Sequence, residues 1–202
     1  MTVIIPGMYR SGTTALVRAL ERVGFIPGNW ADQYREPAEI TGWNRCEKNT
    51  NPPSHATCPF TYKASDEFEV RLQLWRDQYA ELNTVIKDPQ IAPFLAAYAE
   101  VWPDAKYVLC LRNPLSAIWS QRKRGNIGDE YTDVDSLGAH CQMVSNVMAV
   151  ANIRGLDLHL FNYDGDIEAE QTALSAFLGT DIDLAADWKW GEQRRGDAKC
   201  LK

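Results

Sequence analysis

The strongest constraint on the fold is a set of four short apolar runs, each stopped abruptly by polar or turn residues. They are "TVII" (2–5), "TVI" (84–86), "KYVLCL" (106–111) and "LDLHLF" (156–161). Runs this short and this continuous read as strands buried on both faces. Most are followed by helical pattern. From Thr13 to Val23 the apolar positions Ala15, Leu16, Ala19, Leu20 and Val23 recur at helical spacing, with Arg18, Glu21 and Arg22 opposite and Gly24 as a stop. In "NPLSAIWSQRKRG", Pro114 marks a helix start, basic residues fill the last turn and Gly125 follows. The stretch after "NYD" reads as a helix ending at "FLG" (177–179). Strands alternating with helices predict an α/β, three-layer fold with a central parallel sheet flanked by helices. The 202 residues suffice for one such domain, spanning the whole chain.

In a sheet of this kind ligands bind beyond the carboxyl ends of the strands. Three cations, Arg10, Lys87 and Arg112, fall at those ends and describe an anion site. The first of them lies in "PGMYRSGTTALVRAL" (6–20), which begins like a phosphate-binding loop. Gly7 and Gly12 keep the spacing of the nucleotide-triphosphatase loop, yet Thr13 stands where the lysine should be and Arg10 supplies a cation from inside the loop. Backbone N–H groups at a helix start hold oxyanions, and Ser11, Thr13 and Thr14 add hydroxyls. Without the lysine, and with Asp88 as the only strand-end aspartate for a magnesium ion, a magnesium-ATP kinase is disfavoured. Sulfuryl transfer asks less of the loop. The donor's sulfate is joined to a single 5′-phosphate, so one or two cations can stabilise the leaving oxygen without a metal.

"GMYRSGTT" resembles the 5′-phosphosulfate-binding loop of the sulfotransferases that use 3′-phosphoadenosine-5′-phosphosulfate (PAPS). "VLCLRNPLSAIWSQRKR" resembles that family's 3′-phosphate-binding strand and helix, in which a strand-end arginine is followed eight positions later by a serine; here these are Arg112 and Ser120. In a helix starting at Pro114, Ser120 would sit about 9 Å along the axis. "VIKDP" (85–89) and "LFNYDGDIEAEQTALSAFLG" (160–179) extend the likeness, which covers most of the chain except residues 26–83 and the tail.

The resemblance implies a P-loop-type fold and a metal-independent transfer of a sulfuryl group from PAPS to a hydroxyl or amine acceptor, releasing adenosine 3′,5′-bisphosphate (PAP). It implies that Ser11, Gly12, Thr13 and Thr14 hold the 5′-phosphate and sulfate, that Arg10 and Lys87 stabilise the transferring group, and that Arg112 and Ser120 bind the 3′-phosphate. The chain departs from the cytosolic branch in three places. Ala15 stands where a tryptophan stacks on adenine, Lys87 is not followed by histidine, and "RRGD" (194–197) only faintly echoes a late basic motif. An arginine in the loop brings it closer to the bacterial and Golgi-type branch.

Sulfating a hydroxyl calls for a general base. By resemblance to that branch a carboxylate of the loop-rich segment is expected, with Glu36 in "YREPAE" first, then Glu47, Asp88 and His55. Residues 26–66 hold five prolines and two cysteines with no sustained period, and read either as an acceptor-site lid or as a cover for the sheet. Their aromatics (Trp30, Tyr34, Trp43, Phe60, Tyr62) suit an acceptor pocket or a small core of their own. Tyr163 suits the nucleotide pocket or packing, and Trp188 and Trp190 suit packing. His140, with Cys141 and Met143, reads as helix packing; "GDEYTDVDS" (128–136) reads as a solvated acidic connector.

A net charge of −6 argues against broad binding to nucleic acid or to an acidic membrane surface, and makes a long polyanionic glycan a poor acceptor. A small molecule or a glycan remains the expected partner, with oligomeric state open. The five scattered cysteines have no metal-ligand spacing, and with no leader-like N-terminus they suggest reduced thiols in the cytoplasm. Two other readings compete: a nucleotide-binding module without catalysis, and a small ATP-dependent kinase.

Overall fold

The computed structural model describes residues 1–7, 11–28, 36–50, 64–123 and 133–186. The elements run β1 (Thr2–Pro6), α1 (Thr13–Arg22), α2 (Ala38–Thr50), α3 (Asp66–Gln78), β2 (Thr84–Asp88), a 3-10 turn (Ala92–Phe94), α4 (Leu95–Val101), β3 (Lys106–Leu111), α5 (Pro114–Arg122), α6 (Asp133–Arg154), β4 (Asp157–Asn162) and α7 (Ile167–Leu178). All four apolar runs are strands, and they form one parallel sheet in the order β2-β1-β3-β4. Strand order reverses between β1 and β3. That crevice, beyond the carboxyl ends, is where a parallel sheet opens to a ligand. The loop after β1 and Arg112 after β3 stand on its two sides.

The period of two along each strand sorts buried side chains onto two faces. Val3, Ile5, Val85, Val108 and Cys110 pack with Leu16, Val17 and Leu20 of α1 and Leu174 and Leu178 of α7. Ile4, Ile86, Tyr107 and Leu109 pack on the other side with α3 (Phe68, Leu72, Trp75), α4 (Leu95, Tyr98) and α6 (Val147, Val150). The result is the expected single-domain, three-layer α/β sandwich. The central strands are apolar throughout because both of their faces are covered; β4, at the sheet edge, leaves Leu160 exposed.

Two sequence readings need correction. Residues 26–66 are not without regular structure, because α2 occupies Ala38–Thr50. Its inward positions Ile40, Trp43, Asn44 and Glu47 follow helical spacing, but two of the four are polar and buried, which hides the amphipathic period. The last four residues of the acidic connector, 133–136, belong to α6, and Ser136 is buried, while residues 128–132 lie outside the described residues.

Those buried polar residues hold α2 in place. Asn44 Nδ2 donates to Asp88 Oδ2 (3.2 Å) at the end of β2, and Tyr98 of α4 donates its hydroxyl to Asn44 Oδ1 (2.8 Å). Burial first, then the nearby Asp88 carboxylate, raises the Tyr98 hydroxyl well above its ordinary pKa, so it stays a donor. Glu47 accepts from the amide and the hydroxyl of Ser65 (2.6 and 2.7 Å), and Ser65 in turn caps α3 by accepting from the Phe68 amide. Tyr98→Phe should lower unfolding stability by about 1–2 kcal/mol, because it leaves a buried acceptor without its donor. Urea unfolding should show a lower midpoint at an unchanged m-value.

Candidate active site

The loop that opens the site is built by close approaches. A Cβ added at Gly7 would stand 3.0 Å from Thr13 Cγ2 and 3.3 Å from Ser11 Oγ, so the chain folds tightly back on the start of α1. Ser11 and Thr13 are buried. Gly12 is the N-cap of α1 with φ of 95°, in the left-handed region that favours glycine, and no side chain caps the helix. The amides of Ala15 and Leu16 both return to the Gly12 carbonyl, while Thr13 and Thr14 begin the helix. The first amides of a helix have no intrahelical acceptor, which makes this end a natural seat for an oxyanion.

The neighbouring strand ends bring the other groups. Lys87 and Asp88 are the last two residues of β2, in register with Ile5 and Pro6 of β1. Alternation sends them to opposite faces. Asp88 turns to the α2–α4 side and is held there by Asn44 and by the Gln90 amide (2.7 Å). Lys87 instead forms a buried ion pair with Glu36, Nζ to Oε1 at 2.6 Å, with side-chain exposures of 4% and 13%. Glu36 lies two residues before α2, so the helix anchored on Asp88 also delivers this carboxylate.

On the far side of the crevice, β3 and β4 run in register to Leu111 and Asn162, and the pairing continues through the Tyr163 amide to the Leu111 carbonyl (2.8 Å). That register sets Tyr163 and Asp164 beside Arg112 and Asn113. The Arg112 guanidinium lies over the Tyr163 ring, 5.1 Å from its centroid, and its Nε is 3.8 Å from Asp164 Oδ1. Asp164 Oδ2 accepts the Asn113 amide at 2.6 Å, and Asn113 caps α5 by accepting from the Ser116 amide (3.2 Å), with Pro114 in the first turn. Ser120 lies further along α5, partly buried. The Tyr163 ring also closes on the loop: a Cβ at Gly12 would come within 1.9 Å of its Cδ2. Gly12, Tyr163 and Arg112 therefore form one stack across the crevice.

A sulfotransferase-domain family model matches residues 2–159, most of the chain. The chain belongs to the sulfotransferase family. The matched span contains the loop, Glu36, Lys87, Arg112 and Ser120, and stops just short of Tyr163 and Asp164. No curated protein matches the chain significantly. Among solved structures, the sulfotransferase domain is similar to a deoxyadenosine kinase from M. mycoides with bound dATP, at 11% identity over 89% of this chain and 100% of that one, with a TM-score of 0.43. The same kinase with bound dCTP gives 10% identity over 89% and 99%, with a TM-score of 0.46. Likeness at that level says nothing of activity.

Of the site residues expected from sequence, the structure joins Lys87 to Glu36, and gathers Ser11, Gly12, Thr13 and Arg112 around the crevice between β1 and β3. Arg10 lies outside the described residues, as do His55, Trp30, Tyr34, Phe60, Tyr62, Trp188 and Trp190. Trp43 packs on the core beside α3 and α4. His140 is buried on α6, and burial lowers its pKa, as befits a packed imidazole; Cys141 beside it is exposed. Among the described residues no three His, Cys, Asp or Glu side chains stand together. Sequence reasoning missed Asn44 and Asp164. Pro114 marked the start of α5, but nothing local pointed to the Asn113 cap or tied Asp164 to it.

Proposed function

We propose that this sulfotransferase domain transfers a sulfuryl group from PAPS to a hydroxyl or amine of a small-molecule or glycan acceptor, releasing PAP. The observation that carries the reading is the buried Lys87–Glu36 pair, set beside the loop at the carboxyl edge of the sheet. It joins a cation that can stabilise a leaving phosphate oxygen to a carboxylate that can take a proton.

The roles follow from placement. The start of α1, with Ser11, Gly12, Thr13 and Thr14, seats the 5′-phosphate and sulfate, and Arg10 adds charge from the loop. Arg112 and Ser120 take the 3′-phosphate, which separates PAPS from ATP. The acceptor oxygen attacks sulfur while its proton passes to the Glu36 carboxylate. The bond between sulfur and the bridging oxygen breaks, and Lys87 stabilises the charge left on the 5′-phosphate. Before the donor arrives Lys87 rests on Glu36, and the incoming anion draws the ammonium toward itself, leaving the carboxylate to the acceptor. Other carboxylates serve this role less well. Glu47 is committed to Ser65, and Asp88 to Asn44 and the Gln90 amide. A module that only retained a nucleotide would have no use for a buried carboxylate on its lysine.

Calorimetry with PAP, in the absence of added metal, tests the donor site. Wild-type protein should bind at micromolar concentration or tighter, and Arg112→Ala should weaken binding roughly ten- to a hundredfold, the loss of one charge-assisted phosphate contact. Binding indifferent to Arg112, or none, would exclude the PAPS reading. Transfer of labelled sulfate from PAPS to a panel of phenolic, lipid and sugar hydroxyls then separates an enzyme from a binder.

A further inference from the structure

Asp164 occupies a position that neither the anion loop nor the base accounts for. It is an acid placed against the cation that the proposed function assigns to the 3′-phosphate. Its two oxygens do different things. Oδ2 accepts the Asn113 amide at 2.6 Å and so ties the β4–α7 turn to the start of α5. Oδ1 stands 3.8 Å from Arg112 Nε, beyond hydrogen-bond length but within ion-pair range. The guanidinium is also held against the Tyr163 ring. Arg112 is therefore fixed in place by an aromatic face and a neighbouring charge. The Asp164 amide donates to Asn162 Oδ1 (3.2 Å), which fixes the turn that carries the carboxylate. With exposures of 19% for Arg112 and 33% for Asp164, water reaches the pair only in part, so the carboxylate's field is incompletely screened.

We propose that Asp164 is an affinity-setting residue: it positions Arg112 for a phosphate dianion and, as a like charge beside that dianion, holds nucleotide affinity down. This rests on the reading of Arg112 as the 3′-phosphate ligand. The chemistry selects a doubly charged phosphate monoester over a neutral ribose hydroxyl. Arg112 is already partly neutralised by Asp164, so a strong anion is needed to draw on its remaining charge. The same repulsion favours release of PAP after transfer, when the bisphosphate product must leave.

The sign of one substitution separates this role from a structural one. Asp164→Asn keeps an oxygen to accept the Asn113 amide and removes the charge. PAP should then bind about three- to tenfold tighter, the scale of one partly screened charge a few ångströms away. Binding of adenosine 5′-monophosphate, which lacks the 3′-phosphate, should be unchanged. In an Arg112→Ala background a gain of the same sign should remain, since the repulsion acts on the phosphate itself. Asp164→Ala, at a part-exposed position, should show a smaller gain in the same direction, since it also gives up the Asn113 tie; it serves if the asparagine variant fails to fold. PAP affinity that is unchanged or weaker in a folded Asp164→Asn protein would overturn the inference, as would an equal gain for adenosine 5′-monophosphate. If Arg112→Ala leaves PAP binding intact, it is the proposed function that fails, and Asp164 then has no phosphate to repel.

Discussion

Lys87→Met should reduce sulfuryl transfer at saturating substrates by roughly 10²–10³-fold, the usual loss when one preorganised charge on a leaving oxygen is removed. It should also destabilise the fold. Lys87 and Glu36 are both largely withdrawn from water, and methionine takes the Lys87 ammonium away from the mostly covered Glu36 carboxylate. Breaking such a pair from one side costs about 3–5 kcal/mol. The two effects can be separated, because Lys87→Met/Glu36→Gln removes both charges. The double variant should recover much of the stability, measured by urea unfolding, while transfer stays at the level of the poorer single variant. Glu36→Gln alone should retain PAP binding and lose turnover, as expected of a base that touches the acceptor and not the nucleotide. Full transfer activity in folded Lys87→Met would remove this lysine from the reaction and leave the leaving oxygen to Arg10.

Gly12→Ala is the second substitution expected to have a large effect, and a matched glycine shows why. Gly12 and Gly24 have nearly the same backbone angle, φ of 95° and 93°, so an alanine at either pays a similar conformational cost of about 1–2 kcal/mol. A Cβ at Gly24 meets nothing within 4 Å, whereas at Gly12 it would lie 1.9 Å from the Tyr163 ring. The ring must move, and Arg112 lies on its face. Gly24→Ala should thus cost about 1–2 kcal/mol and leave PAP binding alone. Gly12→Ala should cost about 3–5 kcal/mol, at the top of the range for single substitutions, and weaken PAP at least tenfold. Adding Tyr163→Ala should restore part of the stability by making room, without restoring affinity, because the support under Arg112 is gone. Thermal unfolding and calorimetry on the four proteins would check each step. Equal behaviour of the two glycine variants would show that the Tyr163 contact has no part in holding the site.

Sequence and tertiary structure divided the work along physical lines. The four apolar runs, the α1 period, Pro114 at the start of α5 and Gly179 after α7 were legible because they rest on short-range effects: side-chain period, turn chemistry and helix caps. From those the parallel sheet followed, and with it the position of Lys87 and Arg112 at strand ends, since a chain that alternates strand and helix has few other ways to bury both strand faces. The family, too, could be read from the loop and the β3–α5 segment. What sequence left open was which polar group meets which. Glu36 reaches Lys87 across 51 residues, and Asp164 reaches Asn113 across the same separation. These meetings depend on sheet order, on strand register and on α2, a helix whose inward face hides its period behind Asn44 and Glu47. Apolar partners are interchangeable, so their pattern alone announces a core. A buried charge or amide needs one particular partner, and only the folded chain decides which one stands within reach.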